Sequence, residues 1–167
     1  MIVIGIDPGT AITGYGVIDK QGDKLFFLEC GAIKTQSSAD APTRLVSIYN
    51  DFNALIDRYR PDEIATERLF FTNNTTTGIP VGRALGVILL SIAQHGLPWT
   101  EYTPTQVKNA VVGVGNADKK QVQFMVTRLL SLSETPKPDD AADALAIAIC
   151  HAHSFRANAI MKRVIRG

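Results

Sequence analysis

The chain is poor in the features that mark several large classes of protein. It has 2 cysteines, Cys30 and Cys150, and no CxxC spacing, so neither a disulfide framework nor a zinc ribbon is legible. Free thiols in a reducing cytoplasm are the plain expectation. It also lacks a long apolar run. The longest, 84–93, is about half of the roughly 20 residues that a membrane span requires. The first residues carry no basic region and reach Asp7 at once, unlike a secretory signal. A soluble, cytoplasmic protein with no membrane partner is expected. Excess charge is absent as well: 17 Lys and Arg against 16 Asp and Glu leave +1. This excludes a strongly basic arm-type binder, but not nucleic acid, because a local patch suffices. No repeat, linker or low-complexity segment is visible.

What is present is an ordinary globular composition, 46% hydrophobic and 20% charged over 167 residues. Such a chain buries roughly 70% of its unfolded surface and needs no structural metal to fold. One domain over 1–167 is expected, with 156–167 as a basic C-terminal tail. Residues 2–6 form a β-branched run ending in Asp7-Pro8-Gly9, which predicts a central strand and a turn. Strands over 13–19 and 25–33 follow, joined by a turn at Gln21-Gly22-Asp23. Leu45, Ile48, Phe52, Leu55, Ile56 and Tyr59 recur at helical spacing until Pro61. A short strand over 63–66 ends at Glu67, and 72–77 reads as a loop or frayed helix start. Helices are expected over 79–94, 104–111, 119–132 and from Asp139 to about His153, with a last strand over 99–102. The order predicts an α/β protein: a five-stranded mixed sheet flanked by helices on both faces. The first strand and the one before Glu67 are the most apolar and should be central neighbours.

Four acids occupy special places. Asp7 and Glu67 end the two central strands, where α/β sheets bind ligands. Asp140 and Asp143 lie in the first turns of the last helix, three apart, about 60° around the axis. Such like charges are unstable together without cations, and oxygen-only ligands favour Mg²⁺ or Mn²⁺. Two ions roughly 4 Å apart would suit in-line phosphoryl displacement. Each acid alone has a plainer use. Asp7-Pro8-Gly9 is a good turn, and Asp140 suits a helix N-terminus. Asp143, set among alanines, is harder to explain away. Asp139 lies about 40° from Asp143 on the other side, so periodicity cannot choose between Asp139 and Asp140. Position 139 follows a proline, where Asp is a good N-cap. Cys150, His151 and His153 do not converge as zinc ligands from one helix.

Lys119 and Lys120 open a helix behind the loop 113–118. That start suits phosphate through charge and free N–H groups, and equally suits plain solvent. Of the neighbours Phe70 and Phe71, one must point away from the core. The helix over 79–94 carries Ile79, Val81, Leu85, Val87, Ile88, Leu89, Leu90 and Ile92, too many for one buried stripe. Part of it is expected to pack on a second copy, the alternative being burial all round within one chain.

Four segments together carry a resemblance: Gly5-Ile6-Asp7-Pro8-Gly9, the stretch 65–71, the segment 106–113 and the closing 140–148. In order and spacing they resemble the RuvC family of bacterial Holliday junction resolvases over nearly the whole chain. The resemblance implies a ribonuclease H-like fold, a homodimer and symmetric nicking of two like-polarity strands of a four-way DNA junction. It implies Asp7, Glu67, Asp140 and Asp143 as catalytic metal ligands for Mg²⁺, with Mn²⁺ as substitute and two ions per site. Lys108 and Lys119, with Lys120 beside them, match DNA-contacting positions, and Phe70 matches an aromatic that stacks on a base. RuvA and RuvB are the implied partners. Asp139 is an extra acid here, and Thr66 stands where the family often has an apolar residue. The rival readings are an actin-like kinase or ATPase, which needs two such domains, a non-catalytic junction-binding module, and a smaller nuclease of the same fold acting on ribosomal RNA precursors.

Overall fold

The structure, a computed structural model, describes residues 1–69 and 75–166, and side chains over 1–69 and 78–155. The elements in chain order are β1 (Ile2–Asp7), β2 (Ile12–Gln21), β3 (Lys24–Lys34), α1 (Ala41–Tyr59), β4 (Glu63–Glu67), α2 (Thr75–Gln94), β5 (Trp99–Tyr102), α3 (Pro104–Val112), α4 (Lys119–Leu129) and α5 (Asp139–Arg166). The five strands form one sheet in the order β3-β2-β1-β4-β5. β1 pairs antiparallel with β2 and parallel with β4, and β4 pairs parallel with β5. The expected mixed sheet and central β1–β4 pair are therefore present.

The period-two alternation of β1 sends its side chains into two cores. Ile4 and Ile6 join Ile48, Phe52, Ile64, Ala84 and Ile88 beneath α1 and α2. Val3 lies on the other face with Ala65, Val107, Val126, Leu145 and Ile149 beneath α3, α4 and α5. Gly5 and Asp7 share the face of Val3, and Glu67 shares the face of Ala65. Both strand-end acids thus point toward the α5 layer.

Glycines set how near α5 comes. A Cβ at Gly5 would lie 2.1 Å from the Ala144 carbonyl oxygen, and one at Gly14 would lie 2.1 Å from that of Asp140. Gly16, paired with Gly5 across the β1–β2 ladder, would meet Leu145 at 2.7 Å. The helix meets this groove with small residues: Ala141, Ala144 and Ala148 are fully buried.

Three boundaries differ from the sequence expectation. α4 ends at Leu129 and not at Leu132, because Ser131 turns the chain with φ 53°, a bend that no glycine announced. α2 begins at Thr75 and includes Pro80, whose carbonyl accepts a hydrogen bond from the Thr10 hydroxyl at 2.7 Å. α5 runs to Arg166 and not to about His153. Nothing from 154 to 166 is Gly or Pro, and the Ala, Met, Lys and Arg there favour helix.

The close approach has a direct check. Gly5→Ala should lower unfolding free energy by at least about 1–3 kcal/mol, the scale of overpacking a tight interior. Urea denaturation measures it, and an unchanged midpoint would show that α5 is not seated against β1.

Candidate metal centre and cleft

Asp7 and Glu67 stand at the ends of neighbouring parallel strands, since Ile6 is in register with Thr66. Asp7 pairs with Gly14 across β1–β2, and Gly14 is the residue on which the Asp140 backbone rests. Asp140 and Asp143 therefore reach the same strand ends from above. Glu67, Asp143, Lys108 and Lys119 line one cleft of 240 Å³ together with Pro104, Val107, Val122 and Ala146. Its wall comes from α3 and α4, each fixed by a reciprocal cap. Thr103 accepts from the Gln106 N–H, and Asp118 accepts from the Gln121 N–H, while each glutamine side chain returns the bond.

The electrostatics register the gathering. Burial pushes the Asp7 carboxyl up to about 7, the charges of Asp143, Glu67 and Asp140 push the same way, and Lys119 opposes them in part. Glu67 is raised by burial and then by Asp143, against Lys108. Asp143 is raised by burial, opposed by Lys119, with Asp140 and Asp139 adding to the rise. The donor set is all oxygen and carries excess negative charge, which fits a hard divalent cation. Among the described residues, no three Asp, Glu, His or Cys side chains are gathered closely enough to grip one ion in this arrangement. Lys119 bridges two of the acids of α5, its Nζ 3.2 Å from Asp143 and 3.2 Å from Asp139.

The two neighbouring acids of α5 are separated plainly. Both act on Asp143, but Asp140 also acts on Asp7, whereas Asp139 faces α4, bound by Lys119 and by the Gln123 amide at 3.0 Å. The expected N-cap role of Asp139 is not what the structure shows: Asp139 is the first helical residue, and its carboxylate is used between helices. The lysine-led helix start also differs from expectation. The Asp118 cap takes the Gln121 N–H, and the Gln121 side chain takes the Asp118 N–H, so two N–H groups of this helix start are already bonded. Lys120 is exposed in the first turn and does not line the cleft. Phe70 lies outside the described residues.

Other residues find structural uses. The buried Thr66 hydroxyl accepts from the Trp99 indole at 3.1 Å on the opposite face, so it leaves Glu67 undisturbed. Cys150, His151 and His153 diverge toward the Gln106 carbonyl, the Tyr102 hydroxyl and the Ala110 carbonyl, which removes the zinc reading. Among the described residues no helix is long and apolar enough to cross a membrane.

Known proteins resemble this chain in sequence and in fold. The sequence profile of the family described as crossover junction endodeoxyribonuclease RuvC matches residues 3–151. A protein of that name from Desulfitobacterium hafniense is 56% identical over 154 residues, 92% of this chain and 93% of that protein. The structure of Thermus thermophilus RuvC is similar with a TM-score of 0.86 at 38% identity, covering 95% of this chain and 97% of that one. The T. thermophilus protein in complex with a Holliday junction substrate is equally similar, with a TM-score of 0.86 at 36% identity, covering 94% and 96%.

The raised acids make a signed prediction for the metal-free protein. Between the unfolded value near 4 and the folded value of about 7, the folded state holds a proton on Asp7 that the unfolded state has lost. Stability from this group is therefore present at low pH and lost as pH rises through about 7. Glu67 and Asp143 act in the same direction. The melting temperature without divalent metal should fall from about pH 5 to about pH 8, and Asp7→Asn should flatten the fall. A profile unchanged by that substitution would contradict the crowding of charge at Asp7.

Proposed function

Because this chain belongs to the RuvC family of crossover junction endodeoxyribonucleases, we infer that it resolves four-way (Holliday) DNA junctions and so acts in DNA recombination and repair. The observation that carries the inference is the family match over 3–151 coinciding with acids converging where β1 and β4 end beneath α5. We propose Asp7, Glu67, Asp140 and Asp143 as catalytic metal ligands, for two Mg²⁺ ions with Mn²⁺ as substitute. When bound, the ions activate the attacking water and neutralise charge on the leaving oxygen. Asp7 and Glu67 offer carboxylates from a rigid sheet, and Asp140 and Asp143 from a helix locked against it. Lys108 and Lys119 face the cleft, where their charge would draw a scissile phosphate in, and Lys120 would hold backbone outside it. We propose that Phe70, close after Glu67 in sequence, stacks on a base near the crossover. Water adds to phosphorus as the bond to the 3′ oxygen breaks and that oxygen takes a proton. The products are a 5′-phosphate and a 3′-hydroxyl, which a ligase can rejoin.

Paired nicks need two such clefts, and α2 suggests how two chains meet. Ala84, Ile88 and Ile92 are buried, while Ile79 and Leu90 are 52% and 53% exposed. The exposed positions Ile79, Arg83, Gly86, Leu90 and Ala93 recur at alternating steps of four and three, one stripe of a helix. Among the described residues nothing stands near the Gly86 Cα face, so a second helix could come close. A homodimer about a two-fold axis through this stripe would present both clefts to strands of like polarity. RuvA and RuvB are the partners this role implies. A non-catalytic junction binder is disfavoured, since unneutralised acids would repel phosphate.

Asp7→Asn should abolish Mg²⁺-dependent cleavage of a labelled four-way junction while junction binding persists. Joint loss of both would point to misfolding. At saturating Mg²⁺, Asp140→Asn should be inactive and Asp139→Asn active, with the reverse result moving the ligand by one residue. Leu90→Glu should yield a folded monomer by light scattering that no longer cuts in pairs, and an unchanged dimer would remove the α2 contact. Phe70→Ala should impair cleavage far more than thermal stability, on the scale of about 1–3 kcal/mol for a stacked base.

A further inference from the structure

Lys119 joins an acid of the cleft to an acid outside it. Its ammonium lies 3.2 Å from Asp143, which faces the cleft, and 3.2 Å from Asp139, which does not line it. Asp139 is held from its other side: Gln123, one turn after Lys119 on α4, donates to Asp139 Oδ1, leaving Oδ2 for the ammonium. Burial would lower the Lys119 proton affinity, yet the bonds to Asp143 and Asp139 outweigh it and keep the group charged. Its field reaches Asp7 as well.

We propose that Lys119 is a built-in counter-cation of the acidic cleft, parked on Asp143 by the positioning residue Asp139, and that it gives up Asp143 to a divalent metal while staying tethered to Asp139. This rests on the reading of the cleft as a metal site. Three observations converge on it. Asp143 cannot serve an incoming cation fully while it is bonded to an ammonium. No three potential ligands are gathered for one ion in this arrangement, among the described residues. And Asp139 has its own anchor in Gln123, so it can keep the ammonium after Asp143 lets go. The four-carbon stem of lysine allows that pivot with little backbone change. Released from Asp143, the ammonium stays beside the cleft opposite Lys108, where a phosphate would meet it. The metal-free enzyme thereby keeps its acids partly neutralised, and Asp139 lowers the cost of the exchange by giving the lysine somewhere to remain.

The test is a titration of Mg²⁺ alone onto the full chain without DNA, by calorimetry and thermal shift, in about 0.15 M salt so that exposed charges are screened. Lys119→Gln should tighten Mg²⁺ binding about three- to fivefold, the scale of a partly exposed ion pair. Asp139→Asn should weaken it by a similar factor, because the displaced ammonium then has no second carboxylate. In the Lys119→Gln background, Asp139→Asn should change affinity less than about twofold. Independently, Lys119 of the unaltered protein should react faster with a reductive methylation reagent once Mg²⁺ is added. Equal weakening by Asp139→Asn in both backgrounds would make Asp139 a ligand or a mere field charge and overturn the proposal. So would a Mg²⁺ affinity indifferent to Lys119→Gln, or a Lys119 reactivity indifferent to Mg²⁺. Failure of the underlying site would look different: Asp7→Asn would bind Mg²⁺ as well as the unaltered protein does.

Discussion

The distance between α5 and the sheet governs the cleft. Acids on a helix and acids at strand ends can act on one point only if the helix rests almost on the strand backbone. Ordinary helix–sheet packing, with a side chain on each side, would hold Asp140 and Asp143 away from Asp7. Here Gly5, Gly14 and Gly16 remove the sheet's side chains along the line where Asp140, Ala144, Leu145 and Ala148 descend. The small residues of α5 remove most of the helix's share. Interiors are close-packed and resist even a methylene, so this contact has little tolerance for change. The same contact fixes the register of α5 along β1 and β2 and places its first turn at the carboxyl ends of β1 and β4.

That seating has an electrostatic cost. Burial and neighbouring carboxylates raise the proton affinity of Asp7, Glu67 and Asp143, most clearly at Asp7. The chain answers with two lysines from different helices. Lys108 of α3 eases Glu67, and Lys119 of α4 eases Asp7 and Asp143. Both helices are capped reciprocally, so the cations are presented from fixed ends. The excess negative charge that remains is a property useful to a nuclease, which needs cations to bring phosphate to an acidic surface.

Much of this was legible in the residues. The β-branched apolar run into Asp7 placed the central strand, and the β1–β4 adjacency followed from their apolar content. The acids at the strand ends pointed to a cleft before any coordinates did. The glycine groove was not legible in this way: that Gly5 meets Ala144 and Ala148, Gly14 meets Asp140 and Gly16 meets Leu145 is a tertiary fact that no local pattern names. Asp139 shows the limit most clearly. Its place after Pro138 favoured a cap, and only the crossing of α4 over α5 gives it Gln123 and Lys119 as partners. Ser131 ended α4 early because a non-glycine residue adopted a positive φ, for which local propensity gives no warning. The Thr66 hydroxyl likewise found Trp99 across strands, a partner no local pattern names.

The most direct test of the central arrangement is a crystal structure of the full chain soaked in Mn²⁺, with ions located by anomalous scattering. The expected result is density touching Asp7 together with Glu67 on one side and Asp140 or Asp143 on the other, with α5 still seated on Gly5 and Gly14 and Lys119 moved off Asp143. Density away from Asp7, or ions bound only after α5 lifts from the sheet, would contradict the view that glycine contacts preset the cleft for metal.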